Sequence, residues 1–260
     1  MVFGRPGPVQ SRIILGSPPR PSTIAHAGAR PRSGPRYLRR VRDVLITGGH
    51  GFVGSHLVDL LLEEGDRVRC LYRRPGIPAA LQGKAVRVVP GDVRDPAALA
   101  RAVDGCDEVY HLAALTRSVT RGQMLETNTR GTQALLQAAA AAGVADRFLF
   151  CSSLAAAGPA PDGRPLDEGD PCRPVTWYGE SKRLGEVATL ACRDHLAVTV
   201  IRPPAVYGPR DVDFLAVFRA AERGLVPLLG TVPRRYSFVY AEDLAEGMLA
   251  AARSPAAVGR

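Results

Sequence analysis

Asp43-Val44-Leu45-Ile46-Thr47-Gly48-Gly49-His50-Gly51-Phe52-Val53-Gly54 decides the fold of this chain. A short apolar run that ends at once in glycines reads as a buried strand. The apolar positions Val53, Leu57, Leu60 and Leu61 then recur at helical spacing, and Glu63-Glu64-Gly65 closes that helix. Strand, glycine-rich turn and helix in this order form the context in which a glycine triplet carries meaning. Gly48 permits the tight turn, Gly51 lets the backbone approach a pyrophosphate, and Gly54 lets the helix pack close to the sheet. Dinucleotide binding is the expectation.

Further along, apolar runs alternate with helical patterns. Strands are predicted at Arg67 to Tyr72, Val86 to Val89, Glu108 to Leu112, Arg147 to Cys151 and Val198 to Ile201. Helices are predicted from near Pro96, over Gln123 to Ala142 and over Thr176 to His195. This alternation implies an α/β fold: a doubly wound parallel Rossmann sheet with helices on both faces and ligands at the C-terminal strand ends.

The composition narrows the function classes. Residues 1–42 hold nine Arg, seven Pro and five Gly with no acidic residue, leaving 25 basic and 25 acidic residues in 43–260. The net charge of +9 therefore belongs to a leader, expected to be a disordered basic tail, and no nucleic-acid partner is expected for the folded part. A polyanion-binding arm and a spurious translated leader are the alternatives. No apolar run reaches membrane-spanning length, so no membrane span is expected. Five cysteines without a C-x-x-C pair suit a reducing compartment, read as cytoplasmic. The five histidines show no ligand spacing, and no metal is expected.

At the end of the second strand, where an NAD-selective site places an acid, the chain has Arg73-Arg74. Two guanidinium forks suit a 2′-phosphate, which favours NADP over NAD, with two solvated arginines as the plain alternative. Tyr178-Gly179-Glu180-Ser181-Lys182 gives Y-x-x-x-K, which puts phenol and ammonium on one helix face. A nearby cation is expected to lower a tyrosine pKa and suit Tyr178 to proton exchange. Ser152-Ser153 stands at the C-terminal end of the fifth strand, and lysine is otherwise limited to Lys84.

Several motifs in order carry a resemblance: T-G-G-H-G-F-V-G, Gly91-Asp92-Val93, His111 to Ala114, Asn128-x-x-Gly131-Thr132, C-S-S, Y-G-E-S-K, I-R-P-P-A-V-Y-G-P and Ser237 to Ala245. Over nearly all of 43–260 the chain resembles the extended branch of the short-chain dehydrogenase/reductase superfamily, the epimerase/dehydratase and 3β-hydroxysteroid dehydrogenase relatives. The resemblance implies Ser153, Tyr178 and Lys182 as catalytic residues: Ser153 bonding the reacting oxygen, Tyr178 as general acid/base, and Lys182 holding the nicotinamide ribose and lowering the Tyr178 pKa. It implies cofactor contacts at Gly48, Gly51, Phe52, Val53, Gly54, Arg73, Arg74, Asp92, Val93, Leu112, Ala113, Ala114, Asn128, Pro203 and Val206. Asp92 as a strand-end cap and Asn128 as a helix-local polar group stay open beside these roles.

The implied reaction is hydride transfer between nicotinamide and a secondary alcohol or ketone. A sugar-nucleotide epimerase or dehydratase and an inactive cofactor-binding fragment are the alternatives. Ala157 stands where sugar-nucleotide members carry an aromatic, which turns the expectation toward an apolar carbonyl substrate. Phe214, Leu215, Val217, Phe218, Leu225, Val226, Leu228 and Leu229 line such a pocket or form ordinary helix core. The expected organisation is a tail over 1–42, a dinucleotide-binding domain over 43–205 and the start of a substrate-binding portion over 206–260. That portion reads as truncated, with an open sheet edge beyond the sixth strand, and relatives' habits suggest a homodimer through the two long helices.

Overall fold

The computed structural model describes residues 40–160, 164–225 and 236–260. Most of the basic leader, and Val226, Leu228 and Leu229, lie outside the described residues. The last leader residues belong to the fold: Arg40 pairs with Asp107 and Asp146, and Arg42 with Glu108.

Six strands form one parallel sheet: β1 (Asp43–Thr47), β2 (Arg67–Tyr72), β3 (Val86–Pro90), β4 (Glu108–His111), β5 (Arg147–Cys151) and β6 (Val198–Ile201). Their spatial order is β3-β2-β1-β4-β5-β6, so the order reverses between β1 and β4. That switch point leaves a crevice at the C-terminal strand ends. Parallel strands covered on both faces need continuous apolar runs, which Val44-Leu45-Ile46 and Phe148-Leu149-Phe150 supply with zero exposure.

Helices α1 (Phe52–Glu63), α2 (Pro96–Val103), α3 (Arg121–Leu125), α4 (Gly131–Ala141), α5 (Leu154–Ala157), α6 (Trp177–Ala191), α7 (Asp213–Glu222) and α8 (Ala241–Arg253) accompany the sheet. Two clusters divide the core between its faces. Leu45, Leu99, Leu135, Leu136, Phe148 and Phe150 pack on one side. Val44, Ile46, Leu57, Leu61, Tyr110 and Met248 pack on the other. Leu244, Ala245, Met248 and Ala252 of α8 are buried in this second cluster, although the sequence assigns 206–260 to substrate binding.

The helix predicted over Gln123 to Ala142 contains a single π turn, Glu126–Arg130, between α3 and α4. Ala205–Tyr207 (β7) and Phe238–Tyr240 (β8) add a small parallel pair. Beyond β6 the edge expected to be open carries two backbone bonds, Gly259 N–H to Val198 O (2.8 Å) and Val200 N–H to Arg260 O (2.7 Å). α7 contributes no buried residue among those described, which sets aside ordinary helix core for Leu215, Val217 and Phe218.

Candidate active site

The phosphate loop is built by glycine. Gly48 has φ +77°, and a Cβ there would stand 2.7 Å from Ala113 N. A Cβ on Gly54 would stand 2.2 Å from Gly48 O, so α1 abuts the turn as only glycine allows. Gly51, the N-cap of α1, has no side chain to occupy the first-turn N–H groups. An N-terminus with free donors and no acid in its first turn is a ready anion site.

Beside this cradle lies a cavity of about 210 Å³ lined by Gly48, Gly51, Arg73, Asp92, Val93, Leu112, Ala113 and Ala114, with Thr47, His50, Gly91 and Thr127. Eight of the residues expected to contact a cofactor thus meet in one place. Arg74 follows Arg73 at the exposed end of β2, and both push His50 down after the larger effect of burial. The Asp92 carboxylate is held by Arg94 through two 2.9 Å guanidinium bonds and a backbone bond, which keeps it below the usual carboxylate range. Asp66, at the far end of β2, pairs with Arg253. Phe52 and Val53 open α1; Pro203 O accepts from Leu154 N–H (2.8 Å), and Val206 sits in β7. The cavity's lining includes none of these four.

A directed hydrogen-bond chain runs under the crevice. Ala113 N–H donates to Thr47 Oγ1 (3.2 Å), which meets His111 Nδ1 at 2.6 Å. His111 Nε2 meets Thr132 Oγ1 at 2.8 Å, and that hydroxyl donates to Asn128 O (2.6 Å). Because the Thr132 proton is spent on Asn128, His111 must donate through Nε2 and accept at Nδ1. Burial, aided by Lys182, pushes His111 down to about 3, so the imidazole is neutral.

The π turn aims Asn128 inward. Its Oδ1 accepts from Leu115 N–H (2.7 Å), and its Nδ2 donates to Leu115 O (2.9 Å) and Ser181 Oγ (2.9 Å). Ser181 Oγ in turn donates to Tyr178 O (2.7 Å). Asn128 therefore joins the loop after β4 to α6, with its side chain fully engaged by the protein.

Thr176 caps α6 by accepting from Gly179 N–H, and Tyr178 stands in the first turn. Ser153 caps α5 and interacts with the Tyr178 phenol. The expectation that Lys182 lowers the Tyr178 pKa is corrected here. Burial and the neighbouring Cys151 push the phenol up to about 12, and Ser153, not Lys182, acts against them. Lys182 is itself 2% exposed, lies 4.3 Å from the Phe150 ring centroid, and is pushed down to about 8 by burial. On the open side of Tyr178 a cleft of about 450 Å³ is lined by Met124, Val175, Thr176, Trp177, Arg117 and Ser118. Among the described residues, no group of three His, Cys, Asp or Glu side chains is placed to hold a metal, and no helix is long and apolar enough to cross a membrane.

Sequence reasoning gave no role to Thr47, His111 or Thr132, and it missed Glu186. The i, i+4 spacing of Lys182 and Glu186 was the available signal for the last.

The model of the NAD dependent epimerase/dehydratase family matches residues 44–260, the stretch that carries the cradle and the Tyr178 helix. The chain belongs to this family. It is thus a member of the extended short-chain dehydrogenase/reductase superfamily. Among curated members, a ceramide reductase of Caulobacter vibrioides is 35% identical over 212 residues, covering 82% of this chain and 61% of the relative. A 3 beta-hydroxysteroid dehydrogenase/Delta 5-->4-isomerase of Mycobacterium tuberculosis is 35% identical over 227 residues, covering 80% and 60%. The chain thus spans less than two thirds of the length of these relatives. Among solved members of the fold, a dTDP-glucose 4,6-dehydratase from Streptomyces venezuelae with NAD bound is 31% identical, with a TM-score of 0.72 over 83% of this chain and 73% of that one.

Proposed function

We propose that this chain binds a nicotinamide dinucleotide, NADP in preference to NAD, and serves the reduction of a ketone or the reverse oxidation of a secondary alcohol. The observation that carries this reading is the meeting of Ser153 and Tyr178 at the C-terminal sheet edge, with Lys182 buried on the same helix. The glycine cradle, which added Cβ atoms would fill, fits a pyrophosphate. Gly48, Gly51 and Gly54 would hold it, with Val93 and Leu112 to Ala114 beside the adenosine. Arg73 and Arg74 support the 2′-phosphate, since Asp92 is neutralised by Arg94 and no acid ends β2.

A bound nicotinamide supplies the hydride donor or acceptor. Ser153 orients the substrate oxygen. Tyr178, held protonated at neutral pH, donates its proton to a carbonyl oxygen as charge develops there. The Ser153 hydroxyl, which acts against burial at Tyr178, steadies the phenolate left behind. Met124, Val175 and Trp177 beside Tyr178 support an apolar substrate, as do the named activities of the ceramide and steroid relatives. Exposed Leu184 and Val187 on α6 support a homodimer.

A second reading, a sugar-nucleotide epimerase or dehydratase, is favoured by the dTDP-glucose 4,6-dehydratase likeness. Retained NAD without net oxidation would mark it. The test of the main reading is Tyr178→Phe, expected to lower turnover by about 10²–10⁴ while NADPH binding, followed by fluorescence, is kept. Unchanged turnover would refute it.

A further inference from the structure

Glu186 has no exposed surface, yet its carboxylate is surrounded by donors from three directions. Ser152 Oγ donates to Oε1 at 2.6 Å from the end of β5. Arg202 spans both oxygens, Nε to Oε1 and Nη2 to Oε2, each at 2.8 Å, from the segment after β6. Arg183 Nη1 reaches Oε2 at 3.1 Å from the same helix. Burial works against the charge of Glu186, but these donors outweigh it and hold the group below the usual carboxylate range. Such a saturated buried carboxylate is retained for position as much as for stability.

The bonds from Ser152, Arg183 and Arg202 each end one residue from Ser153, Lys182 or Pro203, the first two used in the proposed chemistry and the third an expected cofactor contact. Ser152 precedes Ser153, Arg202 precedes Pro203, and Glu186 stands one helical turn beyond Lys182. Backbone bonds complete the junction, Ser152 N–H to Ile201 O (2.7 Å) and Leu154 N–H to Pro203 O (2.8 Å).

The ionisable groups acting on or responding to Lys182 come from three elements. On β4 the His111 imidazole is neutral. On β5 the Cys151 thiol is pushed up by burial and stays protonated. On α6 the Tyr178 phenol is protonated. Cys151 and Glu186 both act to raise Lys182 against its burial, and of the two Glu186 is the one that carries its charge at neutral pH.

We propose that Glu186 is a positioning residue that ties the Ser153, Lys182 and Pro203 segments together. The proposal rests on the functional reading above for its purpose, but its test needs neither cofactor nor substrate. The chain has two lysines, Lys84 and Lys182, so ¹³Cε-lysine labelling of the full chain gives two side-chain signals, assigned with Lys84→Arg.

In Glu186→Gln, the Lys182 titration is expected to move to lower pH by roughly half a unit or more, because a charge is lost and the arginines are left uncompensated. In Arg183→Gln, at a side chain 36% exposed and so safe for folding, the titration is expected to move to higher pH. Should Glu186→Gln fail to fold, Arg183→Gln decides alone. A Lys182 titration identical to wild type in every folded variant overturns the proposal. Absence of turnover and of dinucleotide binding, with the lysine shifts present, would count against the functional reading only.

Discussion

Around β1 and β4 the two ends of the sheet treat buried polarity in opposite ways. At the N-terminal strand ends, charges are matched with charges. Asp43 binds Arg67 and Arg69, Glu108 meets Arg42 and Arg253, and Asp66 takes Arg253 as well. Buried Arg147 donates to Ala252 O (2.7 Å), Ser254 O (3.0 Å) and Thr199 Oγ1 (3.1 Å), fastening the end of α8 beneath β5. At the C-terminal ends, neutral groups are chained through Thr47, His111, Thr132 and Asn128, while the α1 N-terminus keeps its donors free. One end is closed by internal pairing; the other keeps its binding capacity for a ligand.

The sharpest way to break this contrast is Gly54→Ala. The new Cβ would collide with backbone at Gly48, so NADPH affinity should fall about a hundredfold or more, by fluorescence titration, with the far end untouched. Arg147→Met strikes the closed end. It leaves two carbonyls and a hydroxyl without their charged donor and should cost about 3 kcal/mol in urea unfolding, with cofactor affinity retained in the folded fraction.

His111 provides a pH test of the neutral chain. Its folded pKa is about 3 and its unfolded value about 6.5, so the unfolded state binds more protons between those limits. Stability should therefore fall as pH drops through that window, by about 1–2 kcal/mol between pH 6.5 and 5. The slope should flatten in His111→Gln. Last, Arg73→Ala combined with Arg74→Ala should weaken NADPH about tenfold and leave NADH nearly unchanged. Equal losses for both cofactors would remove the arginines from any 2′-phosphate role.

The sheet was legible because its strands are short, wholly apolar runs bounded by glycine or charge, and Val198 to Ile201 emerges with its predicted limits. The phosphate loop was equally plain, since strand, glycines and helix are contiguous. Local patterns did not reveal effects that depend on packing. Spacing brings Lys182 near Tyr178 on the helix, but burial dominates both pKa values, with Cys151 adding to it at Tyr178 and opposing it at Lys182. The core role of α8 also escaped notice, because a small-residue helix such as Ala241–Arg253 gains its meaning only against Leu57 and Leu61. Asn128 read equally well as a site residue or a local polar group, and its contacts instead join the loop after β4 to α6.

The π turn over Glu126–Arg130 has a consequence for changes in the length of this helix. A π turn holds one more residue than the α turn it replaces. Removing one residue between Glu126 and Arg130 would let Arg121–Ala141 rewind as a regular helix with its two halves in nearly the same relative rotation, but the widened turn that aims Asn128 inward would be lost. Asn128 would then lose its joint reach to Leu115 and Ser181. This short segment is therefore fixed twice over, by its count of residues and by the Asn128 amide and Thr129 hydroxyl that reach Leu115 and Ser181.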